Sequence, residues 1–176
     1  LDCAVVSDGA AAFIVTTRER ARNLRKPAVQ VLGQGYGFSH AYVSDYRNIT
    51  TSGAVQSGRD AFASAGLRPS DIDIAELYDC FTIAPLMTLE AYGFCPRGQG
   101  RQFVHGGRIE IGGELPINTS GGLLSETGMP GLQLVLEGVR QMRGQAVNQV
   151  KGARTCAISN QGGIMHTHST LILGQA

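Results

Sequence analysis

The segment NTSGGLLSETGMP, residues 118–130, decides how the rest of the chain is read. It is polar and rich in glycine, and it runs into LQLVLEGV, residues 132–139, where apolar residues recur at helical spacing. Gly121 and Gly122 let a backbone approach a ligand closely or adopt positive φ. A helix start after such a turn offers N–H groups to an oxygen gaining negative charge, although an ordinary helix entry uses the same residues. No Gly-Lys-Ser/Thr follows, so this is not a Walker loop, and the spacing of a dinucleotide fingerprint is absent.

Two further polar turns stand out, YDCF at 78–81 and SNQGG at 159–163. Each follows a predicted strand. Strand ends and helix starts of α/β folds converge on one rim of the sheet, so the three turns together would make a site.

The flanking sequence supports that layout. AAAFIVTT, residues 10–17, reads as a buried strand. Thr17 then caps a helix to about Leu24, stopped by Pro27. A second strand is expected over 28–35, with the glycine-rich GYGFSH at 35–40 too irregular to continue it. A helix with a small apolar face spans 53–65 and ends at Gly66. A short strand covers 71–77 and a helix 81–92, with Pro85 in its first turns. The stretches 98–106 and 111–116 read as loops. A helix is expected over 131–142. Strands at 153–159 and 168–173 flank a tight turn at 160–163. Strands mostly alternate with helices, which argues for a layered α/β domain spanning residues 1–176.

Composition narrows the function classes. The formal charge of +1 offers no basic footprint for nucleic acid. No apolar run reaches membrane-spanning length. Cys3, Cys80, Cys95 and Cys156 form no CxxC pair, so free thiols of a reducing, cytoplasmic compartment are expected. Only 16% of residues are charged, which fits either a polar uncharged surface or a surface facing another domain. The chain opens without Met, as a cut chain or part of a longer protein would.

Each candidate side chain has a chemical and a structural reading. Tyr78 can donate its hydroxyl to a carbonyl or close the core edge. Asp79 can orient a base or cap the helix near Phe81. Cys80, just after a strand, is more often an inert thiol than a reactive one, and Cys156 belongs to the core. Glu126 reads as a solvated carboxylate or a general acid. His166 and His168 share one side if a strand has begun there, but spacing supplies no third metal ligand. His40 and His105 lie in loops.

The chain resembles the C-terminal half of a thiolase-superfamily protein, closest to the sterol-carrier or lipid-transfer branch. The resemblance rests on DGAAA at 8–12, IAELYDCF at 74–81, INTSGGLLS at 117–125 and SNQGG at 159–163. It covers almost the whole chain. It implies a mixed five-stranded sheet layered with helices, and a missing N-terminal half that bears the nucleophilic cysteine. It also implies coenzyme A or acyl-CoA as substrate with no covalently bound cofactor, a homodimer, and a small zinc-ribbon/OB-fold partner; no metal is expected, on spacing alone.

The resemblance assigns catalytic positions to Tyr78, Asp79, Ser159 and Asn160. Cys80, Asn118, Gly121, Gly122, Glu126, Met129, Gly162 and Gly163 fall in its substrate and oxyanion region. Three departures alter the family's polar roles. Met129 stands in Gly-Met-Pro where the family has Gly-His-Pro, and methionine moves no proton. Ser159 and Asn160 replace the neighbourhood of a second cysteine. Tyr78 stands where ordinary thiolases have asparagine, as in a retro-aldol relative. A second tyrosine of that relative falls near Thr127 and is missing. The expected activity is acyl-CoA processing by acyl transfer, with retro-aldol cleavage or a non-catalytic subunit as alternatives. The chain alone is expected to be inactive.

Overall fold

The computed structural model describes residues 2–129, 131–163 and 165–176. Its regular elements are α1 (Arg18–Ala21), β1 (Val29–Phe38), α2 (Ala54–Ala65), β2 (Ile74–Glu76), α3 (Ile83–Tyr92), α4 (Gly100–Phe103), α5 (Gly122–Ser125), α6 (Leu132–Met142), β3 (Thr155–Gly162) and β4 (Thr167–Gln175). The strands form one mixed sheet in the order β1-β4-β3-β2. Only β2 and β3 run parallel; the β3–β4 and β4–β1 pairs are antiparallel.

Alternation along the strands divides the core into two layers. Ala75, Ala157 and Ile172 face one way and pack with Ala61, Phe62, Leu89 and Tyr92 of α2 and α3. Ile74, Cys156, Ile158 and Leu173 face the other way and pack with Leu134 and Val135 of α6. Burying a leucine or isoleucine completely, as at Ile74, Leu89 and Leu134, contributes about 1.5–3 kcal/mol each. Helices therefore cover both faces.

The sheet has four strands where five were expected. Residues 10–17 form no strand, and Ile14 and Val15 are 93% and 80% exposed. The β-branched run is present, but it pairs with no sheet edge among the described residues. A single parallel bridge, Ala75 to Ile117, extends the outer edge of β2 instead. Thr17 does cap α1, accepting from the Arg20 N–H at 3.3 Å, but that helix is a single turn.

The glycine-rich stretch after Gly35 is strand, not loop. Gly33, Gly35 and Gly37 continue β1 because α2 crosses directly over them. A Cβ at these three positions would run into the carbonyl oxygens of Ala61, Ser57 and Gly53. Here glycine serves close approach of two backbones. The tail turn is also shorter than expected, since Asn160, Gln161 and Gly162 continue β3 in register with Ser169, His168 and Thr167.

Candidate active site

Four consecutive residues at the end of β2 bind three other elements. The Glu76 carboxyl group accepts from the Thr119 N–H and contacts its hydroxyl. Leu77 N–H donates to Asn118 Oδ1 at 2.7 Å, and Asn118 Nδ2 returns a bond to the Leu77 carbonyl at 2.9 Å. Tyr78 N–H donates to Ser159 Oγ at 2.9 Å. Asp79 accepts from the Leu123 N–H at 2.7 Å and the Leu124 N–H at 3.4 Å. Because β2 is only three residues long, the chain leaves the ladder here and its polar groups find side-chain partners. The three turns picked out in the sequence therefore meet, as expected, at one strand end.

Asp79 does not cap the helix after Phe81. It is 3% exposed and caps the short α5 instead, so the N–H groups at that helix start are spent on a carboxylate of the chain itself. Gly122 makes this possible. Its φ is 63°, and a side chain there would meet the Asp79 carboxylate and the Asn118 amide. Asn118 itself sits at φ 48°, a conformation asparagine tolerates better than most residues. Gly121, at φ 111°, enters α5. The helix expected over 131–142 is α6, Leu132–Met142, and the extra turn α5 lies between it and Gly121.

Tyr78 is half-buried, and its hydroxyl makes no hydrogen bond among the described residues. Burial, followed by the neighbouring Cys80 and Asp79 charges, raises its pKa above the ordinary value near 10. The phenol is thus a neutral donor at physiological pH. Cys80 Sγ accepts from Gln161 Nε2 at 3.1 Å, and burial raises its pKa as well, so the thiol stays protonated.

The third turn holds the others in place. Ser159 is fully buried, with its hydroxyl under the Tyr78 backbone. Asn160 Nδ2 donates to the Gly131 carbonyl at 3.3 Å, tying β3 to the start of α6. Gly162 closes β3, and at Gly163, φ 61°, a Cβ would strike the His166 ring.

Met129 lies half-buried with its side chain on Gly9, and Pro130 of the Gly-Met-Pro match is outside the described residues. Glu126 is exposed and accepts from Ser120 at 2.6 Å, a surface contact at the end of α5.

His168 is buried with Nδ1 at 2.9 Å from Ser57 Oγ, and burial lowers its pKa to about 4. His166 precedes β4 and packs against Phe38 and His40, so the two histidines do not form a pair on one strand. No group of three or more His, Cys, Asp or Glu residues among the described residues is placed to hold a metal.

Sequence reading passed over Glu76, Thr119, Glu137 and Gln141. Their signal was a charged residue inside the apolar strand IAEL, and Glu137 with Gln141 on the apolar side of the helix that starts at Leu132. Buried carboxylates need partners, and these supply one another.

A family model described as thiolase C-terminal domain-like matches residues 35–175. The chain belongs to that family. A 17-hydroxy-3-oxo-4-pregnene-20-carboxyl-CoA lyase of Mycobacterium tuberculosis is 41% identical over 99% of this chain and 46% of its own length. An acetyl-CoA acetyltransferase of Methanothermobacter thermautotrophicus is 38% identical over 93% of this chain and 44% of its own. The solved structure of an Ltp2-ChsH2(DUF35) aldolase superposes with a TM-score of 0.84 at 40% identity, covering 90% of this chain and 42% of that one. The chain therefore spans less than half the length of these relatives. The relatives it resembles thus include a lyase and an acetyltransferase, each named for a coenzyme A thioester, and no helix among the described residues is long and apolar enough to cross a membrane.

Proposed function

We propose that this domain is the C-terminal part of an enzyme that cleaves a carbon–carbon bond beside a coenzyme A thioester by a retro-aldol step. The observation that carries this reading is Tyr78, a neutral phenol at the convergence of the three turns, in a chain with methionine where thiolases place their histidine. In the proposed step a base removes the proton of the 3-hydroxyl group, that carbon becomes a carbonyl, and the bonding electrons pass to the thioester enolate. The Tyr78 hydroxyl donates to the oxygen that gains charge, and the enolate carbon then takes up a proton. The similarity to a lyase and to a solved aldolase supports the reading. Acyl transfer to coenzyme A is the second reading, favoured by the similarity to an acetyltransferase.

The whole protein in this proposal includes a preceding half, and its substrate is an acyl-CoA with no covalently bound cofactor. The exposed apolar side chains of Val6, Ile14 and Val15 support such a neighbour as area it could cover. A homodimer in the cytoplasm and a small zinc-ribbon/OB-fold partner complete the proposal. The DUF35 component of the solved aldolase supports the last of these.

The test uses the full-length protein on a 3-hydroxyacyl-CoA bearing a tertiary alcohol, with no free coenzyme A added. Release of a ketone and a shortened acyl-CoA is the expected result. Cleavage only of a 3-ketoacyl-CoA, and only with free coenzyme A present, would move the assignment to acyl transfer.

A further inference from the structure

Behind the Asn118–Gly122 turn lies a buried cluster that the proposed reaction does not use directly. Thr119 Oγ1 is 2.7 Å from Glu76 Oε1, 2.8 Å from Glu137 Oε1 and 2.9 Å from Gln141 Nε2. All four side chains are at most 5% exposed. The protons in this cluster can be counted. Gln141 brings its own N–H, but the hydroxyl has one proton for two carboxyl oxygens. If both carboxyls were ionised, one contact would press lone pairs together at under 3 Å without a hydrogen between them. The geometry therefore requires one more proton, on one of the two glutamates.

The surroundings decide which one. Glu137 Oε1 also accepts from Gln141 Nε2 at 3.1 Å, and Arg140 stands 3.9 Å from Glu137 Oε2. No salt bridge reaches Glu76 among the described residues, and its Oε2 is buried without a partner. The other titratable groups acting on it are Asp79, whose charge opposes ionisation, and Cys156 behind it on β3, whose thiol is itself held neutral by burial. An unpaired charge at Glu76 would bear the full desolvation cost, whereas Glu137 shares its charge with an amide and a guanidinium.

We propose that Glu76 is a positioning residue that carries a buried proton: as the neutral acid it donates to Thr119 and fixes the Asn118–Gly122 turn in the form that completes the site. Burial, with Thr119 opposing and the Glu137 and Asp79 charges assisting, raises its pKa to about 8, in accord with the proton count. Loss of this proton sets two carboxylates against one hydroxyl and pushes Thr119, and with it Asn118 and Gly122, away from β2. The role rests on the retro-aldol reading only in what the turn serves; the proton itself is independent of any reaction.

The experiment measures unfolding of the full-length protein against pH, for the wild type, Glu76→Gln and Glu137→Gln. The sign follows from linkage. The folded acid keeps its proton up to about pH 8 while the unfolded one releases it near 4.5, so stability falls as pH rises between these values. His168 contributes in the opposite sense, rising between about pH 4 and 6.5, and Asp79 in the same sense as Glu76, so the Glu76 contribution is read between pH 6.5 and 8 as the difference between wild type and Glu76→Gln.

There the folding constant of the wild type is expected to fall by up to tenfold per pH unit relative to Glu76→Gln. If Glu76→Gln fails to fold, Glu137→Gln still tests the idea: removing the like charge should end the decline at a lower pH. In the pH–rate profile, normalised at pH 7, the wild type should lose activity near pH 8 and Glu76→Gln should not. Parallel stability curves for wild type and both variants from 6.5 to 8 would overturn the proposal, even if the protein proves to be a retro-aldol enzyme.

Discussion

Asn118 and Leu77 hold each other by two hydrogen bonds, the amide of one filling both backbone groups of the other at 2.7 and 2.9 Å. A sheet neighbour would do the same for Leu77, so Asn118 acts as a one-residue substitute for a strand at the point where β2 ends. Leu77 is fully buried, and its backbone groups have no water to turn to. Asn118→Ala is expected to cost about 2–4 kcal/mol, from two lost bonds and the unpaired groups they leave. Urea denaturation of the variant measures it. A loss below about 0.5 kcal/mol would show that the pair does not hold the turn.

Gly35→Ala tests the close approach of β1 and α2. The added methyl group points at the Ser57 carbonyl of α2, and backbone cannot swing aside as a flexible side chain does. Overpacking of this kind typically costs about 1–3 kcal/mol, and more where backbone must move. The neighbouring Gln34→Ala, at an exposed position, serves as the control and should change stability by less than about 0.5 kcal/mol. The readout is the midpoint of thermal or urea unfolding.

The same glycines explain what was legible in the sequence. The sequence located α2, α3 and α6 to within two residues, and α2 and α6 stand out because each has an apolar side that must be buried. Glycine was read as an interruption of β1, since its use in a strand depends on a helix roughly 20 residues further on, and local pattern carries no trace of that. The run at 10–17 failed for the opposite reason: its pattern is that of a strand, but a strand also needs an edge to join. The three turns were legible as a convergence, whereas the partners within it were not. Asp79, read as orienting a base or capping the helix next in sequence, caps α5 instead, 44 residues away.

Thiol chemistry should follow burial. Cys80 is half-buried with its pKa raised chiefly by desolvation, and Cys156 is fully buried among Ile74, Ile158 and Leu173. Nucleophilic attack needs the thiolate. Iodoacetamide at pH 7 is therefore expected to modify Cys80 more slowly than a simple model thiol, and Cys156 only when the protein is unfolded. Peptide mass spectrometry after timed quenching resolves the sites. Rapid modification of Cys80 at neutral pH would identify it as an activated nucleophile and would change its place in the site.

Tyr78→Phe separates the phenol's hydroxyl from its ring. The ring is half-buried and packs on the α6-side core, so phenylalanine keeps the contact and stability should change by less than about 1 kcal/mol. What disappears is a neutral donor whose raised pKa keeps it protonated across the working range. Losing one preorganised donor at a developing oxyanion typically costs about 3–4 kcal/mol, or roughly 10²–10³ in kcat. The full-length variant should show that loss on a 3-hydroxyacyl-CoA with a tertiary alcohol. Its KM should be little changed, because the bond strengthens only as charge develops. The wild-type rate should also show no break attributable to Tyr78 below about pH 10. A less than twofold change in kcat would return Tyr78 to the packing of the core edge. A rise in KM alone would mean that the hydroxyl holds the substrate without acting on the reaction.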